Sequence, residues 1–139
     1  MSDDLESWPT GRLLSTAARL VEQAWESTLR AHGLTHAGLV ALHTIADGPR
    51  SQREMARACR VTDQTMSRTV EHLERSGLVT RTVDPADERR MRVQITESGN
   101  ELYRAMIELE RTDAQPTAVV SDPGTLRSLL IELVRSAQR

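Results

Sequence analysis

The stretch Ser51-Gln52-Arg53-Glu54-Met55-Ala56, then Val61-Thr62-Asp63-Gln64-Thr65-Met66-Ser67-Arg68, then Asp84-Pro85-Ala86-Asp87-Glu88-Arg89-Arg90 holds three local structural signals in succession. Ser51 followed three residues later by Glu54 is a capping box, in which each side chain satisfies a backbone N–H that a first helical turn leaves free. It predicts a short helix with Met55, Ala58 and Cys59 on its inner face. Cys59 to Thr62 makes a tight connection, and Thr62 caps a second helix over 63–75 whose inner face is Met66, Val70 and Leu73. Ala56 is small where the two helices cross, and apolar Val61 is expected to fill the gap in the turn. Gly77 stops the second helix. Leu78–Val83 reads as a strand, and Met91, Val93 and Ile95 alternate with Arg90, Arg92 and Gln94 as another. The polar run Asp84–Arg89 is then the hairpin loop. Helix, tight turn, helix and hairpin in that order make a winged helix-turn-helix.

Working outward, apolar residues at 14, 17, 18, 21, 24, 25 and 29 recur with helical period and predict a helix over 10–31, capped by Thr10 and ended by Gly33. Thr35 caps a shorter helix to Ala46, and Asp47-Gly48-Pro49 is a turn. Thr96 caps a helix over 97–113, Pro116 breaks the pattern, and Asp122-Pro123 opens a last helix striped by Leu126, Leu129, Leu130, Leu133 and Val134. The order α-α-α-α-β-β-α-α is an α+β fold, mainly α. Residues 1–9 read as a loose leader and 10–139 as one winged-helix domain, with a lobe at 35–96 between terminal helices at 10–31 and 97–138.

The 139-residue chain has 38% hydrophobic residues, 2% aromatic and no Phe, so its core must be Leu, Val, Ile, Ala and Met. A single Cys excludes a disulfide scaffold, and no Cys/His spacing reads as a zinc site. No apolar run approaches the ~20 residues of a membrane span. The acidic, polar start is unlike a signal peptide, so the cytoplasm is the expected compartment.

Net charge is -2, and all the basic residues are Arg. Their distribution is uneven: residues 50–92 hold ten Arg against seven acids, while the rest of the chain holds eight against thirteen. The positive surplus therefore sits on the helix-turn-helix and wing, as double-stranded DNA requires. With Met66 and Val70 turned inward, Gln64, Ser67, Arg68 and Glu71 share the outward face of the second helix. Such a helix fits the major groove, where Arg grips guanine and Gln grips adenine. Thr62, Thr65 and Ser67 add short donors, and Ser51 joins them as an expected DNA contact.

Leu34-Thr35, Arg53-Glu54-Met55-Ala56, Val61 to Arg68, Leu73-Glu74-Arg75-Ser76-Gly77-Leu78-Val79, Asp84 to Arg90 and Ile95-Thr96-Glu97-Ser98-Gly99 together resemble the MarR-type regulators, the multiple-antibiotic-resistance regulator family, over about 10–138. The resemblance implies a homodimer on palindromic operator DNA, usually a repressor, with a ligand- or oxidant-responsive switch. It implies that Arg89 of the wing enters the minor groove while Asp87 holds its guanidinium, with Arg90 beside them. Three departures stand out, one being the segment Asp113 to Asp122, whose Pro and Val119-Val120 predict that the family's long helix is shortened or broken here. Arg60 occupies a position where such units usually have Gly, and Ile95 replaces the usual Leu.

In the family, small anionic or phenolic molecules bind between the dimer helices and the DNA-reading lobe, and Trp25, Arg30, His32, His36 and His43 are the candidates here. A small aromatic or anionic effector is therefore expected, and no cofactor. His32 and His36 straddle Gly33, which argues against one metal-binding face. Two other readings remain: a winged-helix module that binds protein instead of DNA, and a regulator sensing oxidants through Cys59. Paired catalytic carboxylates, a phosphate-cradling glycine loop and a nucleophile–base motif are all missing from the sequence, so an enzyme is not expected.

Overall fold

The computed structural model describes residues 4–112 and 118–138. Six helices and three strands are seen among them. Helix α1 is Thr10–Ala31, α2 His36–Ile45, α3 Gln52–Cys59, α4 Asp63–Arg75, α5 Glu97–Thr112 and α6 Pro123–Ala137. Strand β1 is Arg50–Ser51, β2 Val79–Asp84 and β3 Asp87–Ile95, forming an antiparallel sheet of order β1-β3-β2. The architecture is mainly helical with a winged helix-turn-helix at its centre.

Local chemistry explains most boundaries. Ser51 Oγ accepts from Glu54 N–H at 3.1 Å while Glu54 Oε1 accepts from Ser51 N–H at 3.2 Å, completing the capping box. Thr35, Thr62, Thr96 and Asp122 each accept a hydrogen bond from the backbone N–H three residues on. Gly77 ends α4 at φ 76°, a left-handed conformation that costs glycine little. The core joins Leu29 of α1, Leu39, Leu42 and Ile45 of α2, Met55 and Ala56 of α3, Met66, Val70 and Leu73 of α4, Val79 and Val93 of the sheet, and Met106 of α5. No helix among the described residues is long and apolar enough to cross a membrane.

Several expectations need correction. Thr10 is the first residue of α1 and Pro9 stands at its N-cap, so Thr10 makes no capping bond. Part of the expected leader is ordered: Leu5–Ser7 form a 3-10 turn, and the Arg12 guanidinium lies 3.7 Å above the Trp8 ring. Ala58 is exposed, and the inner face of α3 is Met55, Ala56 and half-buried Cys59. A helix advances about 100° per residue, so these three cluster while Ala58 swings out. Val61 is 39% exposed and plugs nothing. The turn is closed by backbone instead, Val61 N–H donating to Ala56 C=O at 3.0 Å. Strand β1 had no local signal: two residues carry no periodicity, and they pair only because β3 passes beside them, Arg50 opposite Val93 and Ser51 opposite Arg92. The expected break at Pro116 lies outside the described residues.

Arg60 is left-handed, at φ 56° and ψ 44°, and is the one non-glycine residue with positive φ among those described. A Cβ there costs roughly 1–2 kcal/mol. Arg60→Gly is accordingly expected to raise stability by about 1 kcal/mol, the gain being trimmed by the entropy glycine adds to the unfolded chain. Chemical denaturation reads this directly. Gly99 has the opposite sign. It opens α5 against the wing, and a Cβ there would sit 2.1 Å from the Leu78 carbonyl oxygen and 2.9 Å from Ile95 Cγ1. The obstacle is backbone, which cannot swing aside. Gly99→Ala is expected to lose about 1–3 kcal/mol in the same assay, despite the better helix propensity of Ala.

Candidate nucleic-acid interface

Burial of Met66, Val70 and Leu73 sets the rotation of α4 about its axis. Gln64, Arg68 and Glu71 are consequently exposed along the opposite face, with Ser67 half-buried at its margin. At the start of the helix Thr62 Oγ1 takes the Thr65 N–H and donates to Thr65 Oγ1 at 3.0 Å. The Thr65 hydroxyl is then acceptor to Thr62 and keeps its own proton for an external partner. Ser51 is placed differently from the other expected DNA contacts. It is only 6% exposed and its oxygen is engaged in the capping box, so its role is to start α3.

The wing differs from an open loop. Asp84 pairs with Asp87, and Pro85-Ala86 alone make the turn, held by Asp84 Oδ1 accepting from Ala86 N–H at 2.9 Å. The next pair is Val83 with Met91, so Glu88, Arg89 and Arg90 face no residue of β2. These three residues form a bulge in β3, a device that re-aims side chains at a strand's edge. Asp87 organises it. Its Oδ1 accepts from Arg89 N–H at 3.1 Å and from Arg89 Nε at 3.3 Å, while Oδ2 lies 3.5 Å from Arg90 Nε. The hydrogen bonds from the Arg89 backbone and side chain hold the Asp87 carboxyl below the usual carboxylate range, so it stays ionised at neutral pH. Arg89 remains 92% exposed at its side chain even while tethered. The carboxylate thus restrains the base of the side chain and leaves the guanidinium facing solvent.

Wing and helix-turn-helix meet in a small polar cleft of about 340 Å³. It is lined by Ser51, Gln52 and Arg53 from the start of α3, Asp63 from the start of α4, and Asp87, Arg89, Arg90 and Met91 from the bulge. Gln52 Oε1 is buried there without a hydrogen-bond partner among the described residues. Arg53 Nε lies 3.9 Å from Asp63 Oδ2 and joins α3 to α4. A second tie runs from β2 to α4, where Arg81 donates through Nε and Nη2 to Glu74 Oε1 at 3.3 and 3.1 Å. Sequence reasoning missed both pairs, because spacing along the chain does not announce contacts across elements.

A larger cleft, about 750 Å³, opens between α1, α2 and α5. Of the five candidate effector residues it brings together Trp25, His36 and His43. Arg30 and His32 do not line it. Arg30 is exposed, and His32 turns its Nδ1 to the Thr28 carbonyl at 2.9 Å beyond the end of α1. Glu22, Val21, Ile107 and Glu110 line it instead, unforeseen because the facing helices come from opposite ends of the chain. His43 Nδ1 is hydrogen-bonded to the Tyr103 hydroxyl of α5. Cys59 is half-buried and free, and burial pushes its thiol up, away from the reactive thiolate. No group of His, Cys, Asp and Glu among the described residues has the arrangement of a metal site.

Residues 32–90 match the family model described as MarR family. Over 79 residues the chain is 40% identical to the HTH-type transcriptional repressor NicR of Pseudomonas putida, covering 56% of this chain and 50% of NicR. The chain thus spans about half the length of that curated relative. Among solved structures it is similar to a probable transcriptional regulator from Pseudomonas aeruginosa, 28% identical with a TM-score of 0.70 over 93% of this chain and 98% of that one. It is also similar to BpsR of Bordetella bronchiseptica, whose DNA binding is regulated by 6-hydroxynicotinic acid, at 25% identity and a TM-score of 0.72 over 95% and 94% of the two chains. Wild-type MarR from E. coli shares the fold at 21% identity, with a TM-score of 0.73 over 91% of this chain and 96% of MarR. From the capping box through the bulged wing, the chain has a winged helix-turn-helix fold like that of these solved transcriptional regulators, and its residues 32–90 match the MarR family model.

Proposed function

We propose that the protein is a homodimeric repressor that binds a palindromic operator and is released by a small-molecule effector. The observation that carries this reading is the shared cleft, which brings the start of α4 and the Asp87–Arg90 bulge to one place while leaving Arg68 and Arg89 exposed. A helix in the major groove and a tethered guanidinium in the adjoining minor groove follow from that arrangement. The minor groove suits Arg because its narrowness concentrates negative potential. Asp87 reduces the rotamer freedom that Arg89 would otherwise lose on binding. Gln64, Thr62, Thr65, Ser67 and Arg90 supply further base or phosphate contacts.

The second copy is inferred from α1 and α6. Leu129, Leu130, Ile131, Leu133 and Val134 are exposed, and α6 buries no residue within its own chain. Leu13, Leu14, Leu20 and Val21 of α1 are exposed as well. A stripe of this extent needs covering, and residues 10–31 and 97–138 of two subunits interlocking would cover it. A symmetric pair presents two reading units to half-sites about 10 bp apart. The effector is placed in the cleft between α1, α2 and α5, because α2 packs directly on α3 and α4. Regulation of BpsR by a small aromatic compound and the repressor assignment of NicR support this reading.

Arg89→Ala is expected to weaken operator binding and to lower the slope of log affinity against log salt by about 1. A variant that bound like wild type across a salt series would remove the wing from the interface. Arg68→Ala is expected instead to relax preference at one base pair, costing about 1–3 kcal/mol there. Competition between operator variants measures that difference. Sedimentation should give a species of twice 15.5 kDa at micromolar concentration, and a 15.5 kDa species would refute the pairing.

A further inference from the structure

We propose that Arg53, Arg57 and Arg60 form an arginine stripe along α3 that holds the sugar–phosphate backbone of one DNA strand beside the groove read by α4. This rests on the preceding reading that the protein binds duplex DNA. Residues at i, i+4 and i+7 share one face of a helix. All three arginines are exposed, while Met55, Ala56 and half-buried Cys59 turn to the core. The stripe starts at the polar cleft, which Arg53 lines together with Arg89 and Arg90 of the wing. It ends two residues before Thr62, the cap of α4. It thus runs from one element placed at the duplex to the other. Arg53 and Arg57 are about 6 Å apart along the helix axis, close to two phosphate steps of about 3.4 Å each. None of the three lies on the helices assigned to contact with a second subunit.

Folding does not account for two of the three. Arg53 stands in the first turn of α3, where the free N–H groups of the helix disfavour a cation. Its contact with Asp63, at 3.9 Å between two largely exposed side chains, is of a kind that contributes little. Arg60 is left-handed because the turn needs that conformation, in which Val61 N–H reaches the Ala56 carbonyl at 3.0 Å. Glycine or asparagine would adopt it at lower cost. Arg57 and Arg60 have no ion-pair partner among the described residues. The single acid of α3, Glu54, is turned back onto the Ser51 N–H by the capping box. Three guanidiniums are therefore open to an external polyanion, and a guanidinium fork matches phosphate oxygens two at a time. Backbone strain kept against its cost marks positions that serve function.

Phosphate contacts are independent of sequence, so an arbitrary duplex of about 30 base pairs serves as the probe. Fluorescence anisotropy of the full chain on this duplex across a salt series gives the slope of log affinity against log salt, which changes by about 0.9 for each phosphate contact. Arg57→Gln and Arg60→Gly are each expected to lower its magnitude by about 0.9 and the double variant by about 1.8, whereas Arg57→Lys keeps the wild-type slope. Arg60→Gly carries its own control. Chemical denaturation should show it more stable than wild type while it binds DNA more weakly, an outcome that loss of folding cannot produce. If Arg57→Gln and Arg60→Gly keep the wild-type slope while Arg89→Ala lowers it, the stripe is not at the backbone and the wing keeps its place. If wild type fails to bind the duplex even at low salt, the proposal falls together with the reading of the protein as DNA-binding.

Discussion

Everything at the candidate nucleic-acid face depends on the burial of Met66, Val70 and Leu73 along one side of α4. Each such side chain contributes roughly 1.5–3 kcal/mol when removed from water. All three are almost fully enclosed, against a core assembled from α2, α3, the sheet and α5. Rotating the helix by one residue would expose part of this stripe and drive polar Gln64 or Arg68 toward the interior. The outward face is thus selected by what the inward face must do. A capping box and a left-handed Arg60 fix where α3 begins and ends, and the Thr62 cap fixes where α4 begins.

The wing solves a different problem. A long charged side chain on a flat hairpin would be exposed and unrestrained. Here Asp87 pairs back across the turn, three residues of β3 bulge outward, and the carboxylate gathers the Arg89 backbone and side chain together with Arg90. As an exposed ion pair this contributes little to folding. Its consequence is directional, since one guanidinium is held beside the helix-turn-helix yet open to solvent. Arg81 and Glu74 then tie β2 to α4.

The two clefts are lined by different elements. The polar one joins α3, α4 and the wing, and the apolar one joins α1, α2 and α5. Helix α2 packs on α3, α4, α5 and β3. In the proposed mechanism an occupant of the apolar cleft presses on the helix that supports the reading unit. The Tyr103–His43 bond across that cleft's edge links α5 to α2 directly. A change at one wall therefore has a short, packed route to the other.

Much of this was legible in one dimension. Caps, helix periods, the strand alternation and the clustering of arginine in 50–92 are local or additive properties, and each is written where it acts. Arg60 could even be singled out as a residue out of place, and its positive φ bears that out. What failed were inferences about depth and contact. Ala58 and Val61 were assigned inward positions by hydrophobicity alone, although their helix phase and the backbone closure of the turn place them outside. The loop ending at Arg89 became a two-residue turn with a bulge, because pairing with β2 resumes at Asp84.

Sequence by itself determined the order of the helices and of the two long strands, the face of α4 that turns outward and the sign of the charge around it, because these follow from near-neighbour spacing and from sums over residues. Only the tertiary structure decided which distant side chains meet. It brought Glu22 and Glu110 to one cleft, His43 onto Tyr103 and Arg81 onto Glu74, and left Arg30 outside the cleft. Those outcomes depend on how helices from opposite ends of the chain pack around a common core, and side-chain packing at long range leaves no periodic trace in the order of residues.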